Sequence, residues 1–459
     1  MKVAFCSSEV FPFAKTGGLA DVSGALPLAL KRKGVDVKVF MPLYKNIKPQ
    51  KTFNEYAVTK YEDVEFFFIR EDNYFLRDGL YGTISGDYPD NLERFSFFSK
   101  KVFKIMKEIN FKPDIIHVND WQTSLICVYL KTLFKEDLFF KNTKSILTIH
   151  NLAYQGIFEK EKFPIIGIGW EYFNMHQLEF YDKINLLKGG IVFSDMVNTV
   201  SPEYAKQIQT KEFGCGLQDV LKEKGERLCG ILNAIDYKIW NPATDNLIYK
   251  KYSKNTLDRK VINKKMFQKE LGLKVSKDCF LLGMVSRLAE QKGIDILSLS
   301  LPSLLKKYQV VILGVGEEEY HIILKKIANK FKSSFSLNLK FDETLAHKIY
   351  ASCDCFLMPS KFEPCGLSQM ISYKYATIPI VHHTGGLVDT VVDVENGGGG
   401  FAFSVYSEQE LIKTVDRAYN FFIDKKRWQT LMKKVTDYNF SWETAASSYI
   451  QMYNKVLYT

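Results

Sequence analysis

Short continuous apolar runs alternate along the whole chain with longer stretches whose apolar residues recur every three or four positions. The runs at 2–5, 37–41, 115–118, 146–149 and 196–200 predict strands buried on both faces, because a strand with one wet face would alternate instead. Between them, 19–32, 121–134 and 184–193 carry helical spacing. The pattern then begins again, with strands predicted at 279–285, 309–313, 337–341, 355–358 and 378–381 and helices at 294–307 and 320–331. Strand and helix in alternation predict α/β layers around parallel sheets, and two such series predict two Rossmann-like, doubly wound domains. We expect the first over 1–240 and the second over 278–440. The polar, Lys/Asn-rich and weakly patterned stretch 241–277 reads as the hinge. At 441–459, Ser441 as N-cap and Glu443 in the first turn predict a terminal helix. The glycine run 397–400 predicts a flexible loop.

Doubly wound sheets bind ligands beyond the carboxyl ends of their strands. Two copies of one motif lie there: Thr16-Gly17-Gly18-Leu19-Ala20-Asp21 and Thr384-Gly385-Gly386-Leu387-Val388-Asp389. Paired glycines ahead of a helix allow close backbone approach, and exposed N–H groups with the helix dipole favour an anion. The motif alone reads equally as two ordinary strand-to-helix turns. Lys15 adds a cation to the first copy. Asn119-Asp120-Trp121 and His150-Asn151 end two further predicted strands. A carboxylate and a ring there suit sugar hydroxyls and sugar faces, while His150 reads as a general base, a metal ligand or a plain hydrogen-bonding residue.

The second half holds the denser set. Arg287 ends one strand and Lys292 opens the next helix, so a planar fork and a point charge can converge on one diphosphate, although either alone reads equally as a surface charge. Glu363-Pro364-Cys365-Gly366-Leu367 follows the strand at 355–358, where Pro and Gly fix an irregular turn able to aim Glu363 into a cleft. Cys365 reads as a small packing residue rather than a nucleophile.

Composition narrows the picture further. At 459 residues the chain exceeds one comfortable core, and 46% hydrophobic with 25% charged residues is globular usage. The net charge of +10 is scattered rather than run together, which argues against a nucleic-acid arm and suits an acidic small substrate. The eight cysteines show no CxxC spacing, and Cys353-Asp354-Cys355 would face opposite sides of a strand, so no metal site is expected. The first apolar run is too short for a signal core and no run reaches membrane-span length, so a cytoplasmic protein without membrane contact is expected. No Asp-x-Asp occurs, so a diphosphate would be neutralised by Arg, Lys and helix dipoles rather than through a metal.

Together, Lys15–Val22 as Lys-Thr-Gly-Gly-Leu-Ala-Asp-Val, His117-x-Asn119-Asp120-Trp121, Thr148-Ile149-His150-Asn151-Leu152-Ala153-Tyr154-Gln155-Gly156, Val285-Ser286-Arg287-Leu288, Gln291-Lys292-Gly293, Pro359-Ser360-Lys361-Phe362-Glu363-Pro364-Cys365-Gly366-Leu367 and His383-Thr384-Gly385-Gly386-Leu387 resemble the bacterial glycogen synthase and plant starch synthase family, glycosyltransferase family 5. The resemblance spans essentially the whole chain. It implies a GT-B fold, two Rossmann-like domains with an interdomain cleft, and a terminal helix returning to the first domain. It also implies retaining, metal-independent transfer of glucose from ADP-glucose to the non-reducing 4-OH of an α-1,4-glucan such as glycogen or a maltooligosaccharide.

By that resemblance Arg287 and Lys292 bind the diphosphate, and Glu363 holds the glucose and supports an oxocarbenium-like transition state. Lys15, with Gly17, Gly18 and Asp21, meets the phosphate or sugar from the first loop. Tyr81, Asp120, Trp121, His150 and Asn151 shape the glucose and acceptor side. Asn233 binds sugar, Lys264 lies near the nucleotide, Cys365, Gly366 and Leu367 line the sugar pocket, and Thr384, Gly385 and Gly386 face the diphosphate. Two positions depart from the family: Lys361 stands where Arg is usual, and Val315 follows the first glycine of Gly314-Val315-Gly316-Glu317. A family 4 transferase would carry a second Glu eight positions after Glu363, where this chain has Ile371. UDP-glucose as donor, an inactive glucan-binding relative and homo-oligomer formation stay open at this stage.

Overall fold

The computed structural model describes residues 1–83 and 86–458. They form two compact units: Met1–Asn233 with the terminal helix Trp442–Tyr458, and Ala234–Ser441.

Among the described residues, nine strands form the sheet of the first unit. Their order is Leu228–Gly230, Met196–Thr199, Lys144–Ile149, Ile115–Asn119, Lys2–Cys6, Asp36–Pro42, Val64–Ile69, Tyr56–Tyr61 and Lys51–Thr52. The first seven run parallel and the last two close an antiparallel edge. The chain starts in the middle of this sheet, grows toward one edge, then returns to build the other side from Ile115–Asn119. The strand order therefore reverses between Lys2–Cys6 and Ile115–Asn119, and the loops after those strands lie where such sheets bind ligands. The terminal helix packs on the helix Gly18–Arg32. Its Tyr453 hydroxyl sits 2.7 Å from His117 Nδ1, and His117 Nε2 is 2.7 Å from Thr148 Oγ1. Burial pushes His117 down to about 3, so it is a neutral core histidine rather than a site residue.

The six strands of the second unit, all parallel, run in the order Phe335–Asn338, Gln309–Leu313, Leu281–Val285, Cys355–Met358, Ile378–His382 and Phe401–Phe403. Numbered along the chain, this is 3-2-1-4-5-6, the dinucleotide-fold order, and it reverses between Leu281–Val285 and Cys355–Met358. All eight cysteines are free thiols. Among the described residues, no helix is long and apolar enough to cross a membrane.

Four readings of the sequence are corrected. The stretch 241–277 is not a polar connector but part of the second unit. There the helix Lys260–Glu270 inserts Lys260 among Tyr350 O (3.0 Å), Ala351 O (3.1 Å), Tyr375 O (3.0 Å) and Thr377 Oγ1 (2.7 Å). Lysines that look solvated in sequence are drawn into a cluster of carbonyls at helix ends, which only the tertiary structure assembles. The helix expected at 184–193 begins at Leu186. Ile184 belongs to a short strand, and Asn185 Oδ1 caps the helix by accepting Lys188 N at 2.8 Å. The strand expected at 337–341 lies at Phe335–Asn338, because Asp342 already caps the next helix and leaves Phe341 85% exposed. The glycine run 397–400 is tied down by Gly398 N to Asp393 O and by Gly399 N and Gly400 N to Val392 O.

Candidate functional sites, one in each unit

In the second unit a cavity of about 160 Å³ opens at the strand-order reversal, lined by Ser286, Arg287, Lys292, Ser360, Glu363 and Gly366 among others. The two strand-end loops meet there because Gly293, at φ +74, lets the turn Glu290–Lys292 lie directly on Pro359. A Cβ at that position would fall 1.9 Å from Pro359 O. Lys292 Nζ consequently reaches Glu363 Oε2 at 2.6 Å, and Ser360 Oγ donates to the same oxygen at 3.1 Å. Glu363 is 5% exposed, so its charge is held by these two donors rather than by water. Arg287 is exposed at the rim, with Nη2 3.3 Å from Gln291 Oε1. Lys292 is balanced by Glu363, and Arg287 lines the same cavity beside that pair, a setting in which two cations stand against one carboxylate and which suits an anion.

The turn after Glu363 is held from behind. Gly366 adopts φ +75, and Gln369 Nε2 donates at 3.0 Å to Cys365 O, Gly366 O and Thr390 Oγ1. Cys365 is buried as packing, and Leu367 is half-buried at the cap of the helix Ser368–Lys374. Ile371 is buried inside that helix. Thr384, Gly385 and Gly386 are buried against this turn rather than open to a ligand. Gly386 N donates to Glu363 O at 3.0 Å, and a Cβ on Gly386 would lie 2.4 Å from Cys365 Cα. The expected free N–H of Gly386 is thus already engaged, while the buried Thr384 Oγ1 has no partner among the described residues. Lys264 is also corrected. It lies outside the cavity lining, fully paired inside the unit to Asp354 Oδ2 at 2.6 Å and donating to Lys277 O.

The first unit gathers its residues around Glu9, which sequence reasoning passed over although it follows the strand Lys2–Cys6 as the other candidates follow theirs. Glu9 is 4% exposed, and its carboxylate accepts Thr16 N (2.5 Å), Thr16 Oγ1 (2.6 Å), Gly17 N (3.2 Å) and the Tyr81 hydroxyl (2.7 Å). The N–H groups expected to be open to an external anion are therefore filled by the chain's own carboxylate. Lys15, Gly17 and Gly18 are exposed, and Lys15 Nζ pairs with Asp21 at 2.6 Å.

Across the reversal, Asp120 holds φ +55, a strained setting for a residue other than glycine. Its Oδ1 accepts His150 N at 2.7 Å, and burial raises its carboxyl to about 7 against the backbone N–H groups of His150 and Asn151, which lower it. Asn119 Nδ2 donates to Cys6 O, so its Oδ1 faces His150 Nε2 at 2.9 Å and fixes the proton on that nitrogen. Burial keeps His150 down at about 3. It is a neutral hydrogen-bonding ring rather than a base ready to charge. Trp121 is only 8% exposed, its ring packed edge-on against Phe95 and Phe158 and under Gly156. The sugar-stacking ring expected from sequence is thus a core residue, since the helix it opens faces the interior. Asn151 Oδ1 accepts Ala153 N at 3.1 Å, and the buried Asn233 Oδ1 has no partner among the described residues. Among the described residues, no cluster of three or more His, Cys, Asp and Glu side chains could hold a metal ion.

Residues 2–223 match the starch synthase catalytic domain family, and residues 267–433 match the glycosyl transferases group 1 family. The chain is 45% identical to the glycogen synthase of Fervidobacterium nodosum over 99% of both chains, and 46% identical to that of Thermosipho africanus over 100% of this chain and 99% of the relative. The solved catalytic domain of starch synthase IV from Arabidopsis thaliana, bound to ADP and acarbose, superposes with a TM-score of 0.91 at 32% identity, covering 100% of this chain and 99% of that one. Sucrose-phosphate synthase from Thermosynechococcus elongatus shares the fold, with a TM-score of 0.64 at 16% identity over 100% of this chain and 99% of that one.

Proposed function

The chain belongs to the glycogen and starch synthase family of glycosyltransferases, and on that premise we propose that it moves glucose from ADP-glucose to the non-reducing 4-OH end of an α-1,4-glucan, with retention and without a metal. The observation that carries the residue assignment is the Lys292–Glu363–Ser360 cluster beside Arg287 at the strand-order reversal of the second unit. In this reading the bond from the glucose anomeric carbon to the diphosphate breaks with its electron pair passing to ADP. Arg287, as a planar fork, and Lys292, as a point charge, receive that negative charge, which is the largest rate term such a site offers. Glu363 steadies the positive sugar carbon. The acceptor 4-OH adds on the face the diphosphate leaves, and its proton passes to the departing phosphate oxygen. Among the described residues lining this cavity Glu363 is the one acid, which favours a same-face displacement over a pair of cooperating carboxylates; a glucosyl adduct trapped on Glu363 or Asp120 would overturn that choice.

On the first unit, the neutral His150, Asn151 and Asp120 present hydrogen-bonding atoms suited to sugar hydroxyls. Lys15 brings its cation on the loop that Glu9 holds. ADP in the starch synthase IV structure supports adenine as the donor base, and acarbose there supports a glucan-like acceptor.

Purified protein incubated in EDTA with maltooligosaccharide and either ADP-glucose or UDP-glucose should extend the chain, faster with ADP-glucose. No extension with either donor would sink the reading. Dependence on a divalent ion would contradict neutralisation of the diphosphate by Arg287 and Lys292.

A further inference from the structure

Arg94, on the helix Asn91–Glu108, is completely buried, and among the described residues no carboxylate lies within ion-pair distance of it. A guanidinium is not taken out of water without return. Its donors go to Tyr74 O at 2.8 Å, Leu80 O at 3.0 Å and Asn91 Oδ1 at 2.6 Å, and its plane lies over the rings of Tyr88 (4.9 Å), Phe75 (5.4 Å) and Phe95 (5.4 Å). The two carbonyls lie either side of the segment between Tyr74 and Leu80, so one side chain clasps it shut. Asn91 extends the clasp by one residue, with Nδ2 donating to Tyr81 O at 2.9 Å.

The consequence reaches beyond that segment. With its backbone fixed, Tyr81 directs its hydroxyl to Glu9 Oε1 at 2.7 Å, and the same hydroxyl lies 2.7 Å from Ser8 Oγ. Glu9 in turn accepts Thr16 N and Gly17 N, which define the loop carrying Lys15. Hydrogen bonds thus link Arg94 to Asn91, Asn91 to the Tyr81 carbonyl, the Tyr81 hydroxyl to Glu9, and Glu9 to the Thr16 and Gly17 amides, with the Tyr81 residue itself bridging the middle. We infer that Arg94 is a positioning residue for the Lys15 loop, acting through Tyr81 and Glu9. Its bearing on turnover rests on the transfer reading above; its bearing on the loop does not.

Amide hydrogen exchange at Thr16 and Gly17 in the full chain tests this without any turnover. In both Arg94→Lys and Tyr81→Phe, these two amides should exchange about tenfold faster, and no faster again in the double variant, because both act on one series. In assays, Arg94→Lys should raise KM for maltooligosaccharide about tenfold while ADP binding, measured by calorimetry, stays unchanged. A merely structural role would instead lower the active fraction and leave KM alone. Unchanged exchange at Thr16 and Gly17, or single effects that multiply in the double variant, would overturn the inference. If Arg94→Lys fails to fold, Asn91→Ala breaks the relay with the guanidinium in place and is read by the same exchange. Wild-type protein that extends no glucan would count against the transfer reading alone, since exchange still decides the positioning role.

Discussion

The segments 16–21 and 384–389 agree at five of six positions, yet almost nothing around them agrees. At the first, residues 15–18 are exposed, Gly17 is extended at φ −155, and a 15-residue helix follows. At the second, residues 384–387 are buried, Gly385 turns to φ +48, and the helix lasts five residues. Each motif is answered by a glutamate after a strand of its own sheet, but by different atoms. Glu9 gives its carboxylate to Thr16 and Gly17. Glu363 gives only its backbone carbonyl to Gly386 and keeps its carboxylate for Lys292. A six-residue sequence therefore specifies a strand-to-helix turn, while its neighbours decide whether acidic charge is enclosed by the loop or presented to a cavity.

The sharpest way to break this contrast is at the presented charge. Lys292→Ala should lower kcat/KM by roughly 10²–10³-fold with the fold retained, the usual scale for removing one preorganised group facing developing charge. A near-normal rate would detach the Glu363 pair from chemistry. Next come the glycines. Gly386→Ala sets a Cβ into Cys365 backbone and should cost about 1–3 kcal/mol in denaturant unfolding. Gly17→Ala meets nothing within 4 Å and should stay within about 0.5 kcal/mol. Equal costs would erase the difference in surroundings.

A pH series sharpens the first unit. Asp120 in the fold holds its proton up to about 7, far above the unfolded carboxyl, so the folded state binds more protons over the interval between the two. The contribution is fully present below the unfolded value and fades as pH rises toward 7. Wild-type stability should therefore fall relative to Asp120→Asn between pH 5 and pH 8, and a constant difference would return Asp120 to the ordinary carboxylate range. A comparably small effect is expected at the exposed Lys15–Asp21 pair, where Asp21→Asn should move stability by no more than about 0.5 kcal/mol. A larger loss would mean that the first loop is held from outside as well as by Glu9.

Much of this was legible before any coordinates. Apolar runs located strands such as Gln309–Leu313 and Cys355–Met358 residue for residue, because every position of these strands is buried and the apolar stretch is nearly unbroken. The strand-end rule pointed to Arg287, Lys292 and Glu363, which the fold brings around one cavity. What stayed hidden depends on partners far away in sequence. Trp121 reads as a surface ring until Phe95 and Phe158 enclose it. Lys264, which the resemblance sets near the nucleotide, pairs instead with Asp354 ninety positions later. Glu9 gives no sign that it would meet the backbone of residues seven and eight positions later.

That last contact bears on selectivity in a crowded solution. Open N–H groups ahead of a helix attract any phosphate that diffuses past, and a neutral sugar cannot outcompete one for them. Because Glu9 is covalently part of the chain, its local concentration never falls, and a free anion would have to displace it while being repelled by it. The Thr16 and Gly17 amides behave as a lock shipped with its key already turned, closed to a passing phosphate.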